Sequence, residues 1–286
     1  MNEISQSQKN SNPSPTIPYS ITTSALHTIS STPLPTTPAI NFKQSPKTTT
    51  YSYVNKGNRG SISFTTYGGL ADHFSKEEHS YYSDFEKETI MELLKNEDQD
   101  KYLQPLIETI KKKSSDPDVQ AKIAISVVQH IPYNWDVLYS IGSDWYFPYE
   151  TLHNNKGVCA DKSLLLAYLL NDLGYDTVLF DFSDHMTVGV KSSSNYDFYG
   201  TGYAFVETTS PTIITYIPDT YYSGFTVTSN PRIIHLNGGT RSLDVSTEYR
   251  DAVRMKQLES MGEVLDEMYY YEWLRISNFY DLQYDT

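Results

Sequence analysis

A single cysteine, Cys159, is all that 286 residues contain, so no intrachain disulfide can form and bridges say nothing of the redox compartment. Basic residues are also scarce, 22 Lys and Arg against 35 Asp and Glu, for a formal charge of -13. Nothing basic clusters to neutralise phosphates, which argues against a nucleic-acid backbone as partner. No apolar run approaches the roughly 18 residues a bilayer-spanning helix needs, and no h-region follows Met1, so no membrane-spanning segment is expected. An internal repeat, a Gly-rich phosphate loop, a His-Glu-x-x-His pair and a Cys/His metal cluster are all absent from the sequence. No cofactor or metal is implied.

What is abundant is unevenly spread. Residues 1–50 hold 9 Ser, 10 Thr and 7 Pro, with Glu3 as their sole acid. Such a composition buries too little apolar surface to offset chain entropy, so this segment is expected to be a disordered tether. Stalks of this kind join extracellular or envelope-associated domains to an anchor, which makes a cell-envelope location an expectation; a plain tail is the alternative. Of the 25 Tyr, all but Tyr19 lie beyond it. One catalytic domain is expected over 51–246, followed by an acidic C-terminal helix over 247–286 that packs back on a monomer.

Alternation on both sides of Asn55–Gly60 predicts a hairpin from Tyr51 to Tyr67. A polar helical stretch follows over about 84–113. Asp116-Pro117 then supplies a cap and a first-turn proline for a helix to His130. After Cys159, the run Leu164, Leu165, Leu166, Leu169, Leu170 and Leu173 ends at Gly174, a helix stop. Strands are expected at 176–181, 186–191 and 203–207, with shorter candidates at 212–217 and 232–235. The final helix, about 247–277, would bury Val253, Met261, Leu265 and Met268 as a stripe. Strands following helices through short links imply an α+β fold, an antiparallel sheet packed against a helical half.

Cys159 heads its helix, where peptide dipoles favour thiolate over thiol. A thiolate nucleophile needs a base, and the base needs an orienting acceptor. His185 opens a strand-like run, and Glu207 ends the next. Among other histidines His153 is the rival base, and Asp184 and Asp219 are rival acids. Asp161 reads as a first-turn acid that helps the helix start and opposes the thiolate. It is given no catalytic role.

Gly157-Val158-Cys159, His185-Met186-Thr187-Val188 and Glu207-Thr208-Thr209, in that order, resemble the transglutaminase-like cysteine enzyme superfamily over about residues 120–220. The resemblance implies a papain-like α+β core and a Cys159, His185, Glu207 triad acting on a peptide or protein substrate. Glu207 stands where many members carry Asp, and Met186 replaces a frequent aromatic residue. The resemblance also implies that the aromatic segment before the nucleophile lines the groove, with Trp145 or Tyr149 as oxyanion donor. The implied chemistry is acyl transfer by a peptidase, amidase or transglutaminase. The alternative is a catalytically silent domain that binds peptide or envelope material.

Overall fold

The computed structural model describes residues 41–77, 87–138, 145–218, 221, 226–227, 230–262 and 266–282, all within one body that spans Ile40–Thr286. The first 40 residues of the expected tether lie outside the described residues. Strands β1 (Pro46–Asn55) and β2 (Asn58–Tyr67) form the expected hairpin. Its turn is Lys56-Gly57, both at positive φ, 50° and 73°, the twist that suits a two-residue hairpin. The hairpin begins at Pro46, ahead of Tyr51, because Thr48 and Thr50 pair with Thr65 and Ser63 through their hydroxyls, 2.8 and 2.9 Å.

Helix α1 (Gly68–Phe74) follows the hairpin directly. Two helices, α2 (Lys87–Leu94) and α3 (Glu97–Lys111), replace the single stretch expected over 84–113. The break is made by Asn96, whose side chain accepts from the Asp98 and Gln99 N–H groups and so starts a new helix. Helix α4 (Pro117–Gln129) has the Asp116 cap the sequence announced. Short helices α5 (Trp135–Leu138) and α6 (Pro148–Asn154) lead to α7 (Cys159–Asp172). Gly174, at φ 92°, ends α7 as its N–H and that of Tyr175 return to Asn171 and Leu170.

The remaining strands are β3 (Thr177–Asp181), β4 (Met186–Lys191), β5 (Tyr203–Val206) and β6 (Arg232–His235). They form an antiparallel sheet in the order β5-β4-β3-β6. Leu179, Val188, Val190 and Val206 join the main core with α7, while Phe180, Phe198 and Phe205 form a second cluster. Both faces are therefore covered, which explains strands that are buried almost throughout. Gly189 makes this possible, for a Cβ there would stand 2.8 Å from the Phe180 ring. The fold is α+β, a helical half packed on an antiparallel sheet.

Two expectations need correction. Residues 212–217 form a turn, not a strand: Thr215 has φ 75° and Tyr216 N–H bonds back to Ile213. The C-terminal helix is two helices, α8 (Ser246–Glu259) and α9 (Glu267–Tyr280). Chain reversal near Gly262, at φ 95°, resets the helical phase. Val253, Met261 and Met268 are consequently exposed, and Ala252, Met255, Leu258 and Ile276 are the buried positions; Leu265 lies outside the described residues. Helix α9 still packs inward. Phe279 accepts from the Gly57 N–H at 2.9 Å, and Asp281 receives Arg59 at 2.6 Å and His130 Nε2 at 3.1 Å.

Candidate active site

Cys159 is the first residue of α7 and is partly exposed. Its position is set by a short parallel bridge between Tyr133 and Gly157, closed by Asn134 N–H to Gly157 O at 3.1 Å and Gly157 N–H to Pro132 O at 3.3 Å. Asp161 locks the helix start from the other side, accepting from the Val158 N–H at 2.9 Å and the Tyr146 N–H at 2.8 Å. Burial pushes the Asp161 carboxyl up to about 6, against the pull of those two N–H groups. Its role is the structural one expected.

His185 closes the tight turn from β3 to β4, where its carbonyl accepts from the Phe182 N–H. The register pairs Val188 with Val206. One step further along that ladder, Glu207 falls opposite Thr187 and diagonal to His185, within side-chain reach. His185 Nε2 meets Glu207 Oε2 at 3.0 Å, and the Cys159 sulfur lies near enough to the ring to favour its protonated form. With Nε2 committed to Glu207, Nδ1 is the nitrogen left for sulfur.

Glu207 is buried, with Oε1 accepting from Thr208 N–H, Thr209 N–H and Thr209 Oγ1 at 2.9, 2.8 and 2.7 Å. Tyr221 donates to Oε2 at 2.6 Å, and its ring packs 4.3 Å from the His185 ring. Burial opposes charge on both partners. The His185 charge and the bonds from His185, Tyr221 and Thr209 outweigh it at Glu207, which falls well below the usual carboxylate range. The Glu207 charge and the bonds to Cys159 and Glu207 likewise raise His185. The pair is thus held as imidazolium and carboxylate.

The rivals are placed elsewhere. His153 Nδ1 pairs with Thr66 Oγ1 at 2.9 Å, Asp184 is exposed, and Asp219 lies outside the described residues. Tyr149 is a correction: its hydroxyl accepts from the Tyr67 N–H at 2.6 Å, deep against the hairpin, so it is not an oxyanion donor. Trp145 is half-buried against the main core, next to the Tyr146–Asp161 contact that joins its segment to α7. The aromatic hydroxyl beside the nucleophile is that of Tyr133, whose oxygen faces the Cys159 N–H and whose O–H faces the Cys159 sulfur. Burial, followed by the charge of Cys159, raises this phenol above its ordinary range.

Sequence reasoning misses Tyr133 and Tyr221. Tyr133 lies at the very edge of the aromatic segment before the nucleophile, and the Pro132 stop ahead of it is its sole signal. Tyr221 sits in a tyrosine-rich passage that offers none. Among the described residues, no group of three His, Cys, Asp or Glu could hold a metal, and no helix is long and apolar enough to cross a membrane.

Comparison with known proteins adds little to this geometry. No family model and no curated protein matches the chain. A solved structure described as "Crystal structure of a TGase" is similar at 15% identity and a TM-score of 0.31, over 75% of this chain. This chain spans 60% of that one. So distant a likeness carries no argument about what the protein does.

Proposed function

We propose that this protein is a cysteine-dependent acyl-transfer enzyme acting on amide bonds of a peptide or protein, with a transglutaminase-like core. The observation that carries the reading is the His185 ring held between the Cys159 thiol and the buried Glu207 carboxylate. The Cys159 thiolate attacks the amide carbon, and the carbonyl electron pair moves onto oxygen. The Cys159 N–H, which turns to the Tyr133 oxygen in the resting site, and the Tyr133 hydroxyl, which turns to sulfur, are the two donors that would swing to that oxyanion. Collapse expels the amine, which takes its proton from the His185 imidazolium and leaves a thioester. Water or a second amine then attacks; His185 removes its proton and keeps it as the sulfur departs as thiolate, which restores the starting imidazolium. Glu207 orients the ring and stabilises its charge, Tyr221 orients Glu207, and Trp145 forms part of the groove wall. Water makes the protein a peptidase or amidase, and a lysine-like amine makes it a transglutaminase. The Ser/Thr/Pro-rich segment supports an extracellular or envelope-associated location.

A thiol-directed acyl probe tests the reading. Labelling should fall on Cys159, and both Cys159→Ala and His185→Ala should abolish labelling and turnover while the fold persists. A folded Cys159→Ala protein that keeps its amidase or transamidase activity would overturn it, leaving a silent binding domain.

A further inference from the structure

Lys162 stands three residues beyond Cys159 on α7 and is fully buried. An ammonium in such a place is costly unless its donors are satisfied. Here Nζ donates to Ile131 O at 2.6 Å, Thr209 O at 2.8 Å and Gln129 O at 3.3 Å, which uses all three protons. Burial pulls its pKa down to about 7, with the Glu207 charge acting in the other direction. The acceptors are not a random set. Gln129 ends α4, Ile131 lies two residues before Tyr133, and Thr209 lies two residues after Glu207. Thr209 in turn gives both its N–H and its hydroxyl to Glu207 Oε1. Gln129 adds a second strap, donating from Nε2 to Glu207 O at 2.9 Å and Thr212 O at 3.0 Å.

An apolar side chain of like volume could fill the space, but it would strip the Gln129, Ile131 and Thr209 carbonyls of the Nζ donor. Nor could it hold two separate backbone stretches, 129–131 and 209, at a fixed distance from the nucleophile helix. We infer that Lys162 is a positioning residue: its ammonium fixes the Tyr133 and Glu207 segments against α7 and, through Thr209, aims the carboxylate that holds His185. The inference rests on the acyl-transfer reading of the site.

Alkylation of Cys159 by iodoacetamide across pH tests it, because the reagent reads thiolate and needs no substrate. Wild-type protein should react rapidly at pH 6, where an ordinary thiol, with its pKa of about 8.5, is almost wholly protonated. In Lys162→Met, shown folded by near-ultraviolet circular dichroism, the rate at pH 6 should drop at least about tenfold. Its rate at pH 9.5, where any thiol is largely ionised, should stay within about twofold. A folded Lys162→Met protein whose profile superposes on wild type overturns the inference. Should that variant not fold, Thr209→Val decides, since it leaves Lys162 its carbonyl and cuts the hydroxyl link to Glu207. A smaller shift in the same direction is expected, and an unchanged profile breaks the proposed route. Wild-type protein without rapid reaction at pH 6 would instead remove the acyl-transfer reading itself, and this inference with it.

Discussion

A carboxylate that accepts five hydrogen bonds while fully buried is costly to alter. The Tyr221 hydroxyl contributes one of them, so Tyr221→Phe should slow acylation of Cys159 about tenfold, the worth of about 1.4 kcal/mol in barrier. Glu207→Gln reaches further, because an amide that donates to Nε2 forces the wrong tautomer; acylation should fall by about 100-fold or more. The same pair sets a pH window for stability. Glu207 is depressed from 4.5 to about 2, so its contribution is present above 4.5 and lost as pH falls through 2. His185 is raised from 6.5 to about 10, so its contribution is present below 6.5 and lost as pH rises through 10. Both hold together between pH 4.5 and 6.5. Glu207→Gln should therefore cost about 3 kcal/mol in denaturant unfolding at pH 5.5 and distinctly less at pH 10.5. An equal loss at both values would contradict the ion pair.

Helix α7 owes its register to the residues just before it. At Gly157 an added Cβ would stand 2.9 Å from the Asp161 Cβ and 3.2 Å from the Thr151 Cγ2, so Gly157→Ala must push the bridge to Tyr133 or the Asp161 cap aside. Labelling of Cys159 should fall by about 10- to 100-fold, since a displacement near 1 Å costs that much in reacting geometry, while far-ultraviolet circular dichroism stays unchanged. This helix was legible in the sequence from its first-turn acid, its leucines and Gly174. His185 and Glu207 were legible too, because strand periodicity brings diagonal residues together. The α2–α3 break and the two-helix C-terminus were not, since apolar spacing resembles one long helix until a cap or a positive φ interrupts it. The run Thr212-Ile213-Ile214 imitates a strand for the same reason. Tyr133 and Lys162 escape notice because their work depends on contacts between distant segments, which local patterning does not encode.

Across the whole molecule, the hairpin sets where the fold begins. Deleting residues 1–39 should shift the melting temperature by no more than about 2 °C, whereas deleting 1–50 removes half of β1 and should lower it by several times that, about 1–2 kcal/mol or more of stability. Differential scanning calorimetry of the two truncations distinguishes them; an equal shift would show that 46–50 add nothing. At the other end, Asp281 returns to Arg59 and His130, and Phe279 covers the hairpin turn. That clasp joins residues separated by nearly the entire described chain, and contacts of such separation must overcome the largest loop-closure entropy before they yield anything. The clasp is therefore expected to close after the nucleophile helix and its sheet, so Asp281→Ala should chiefly speed unfolding and leave the refolding rate nearly unchanged in stopped-flow measurements.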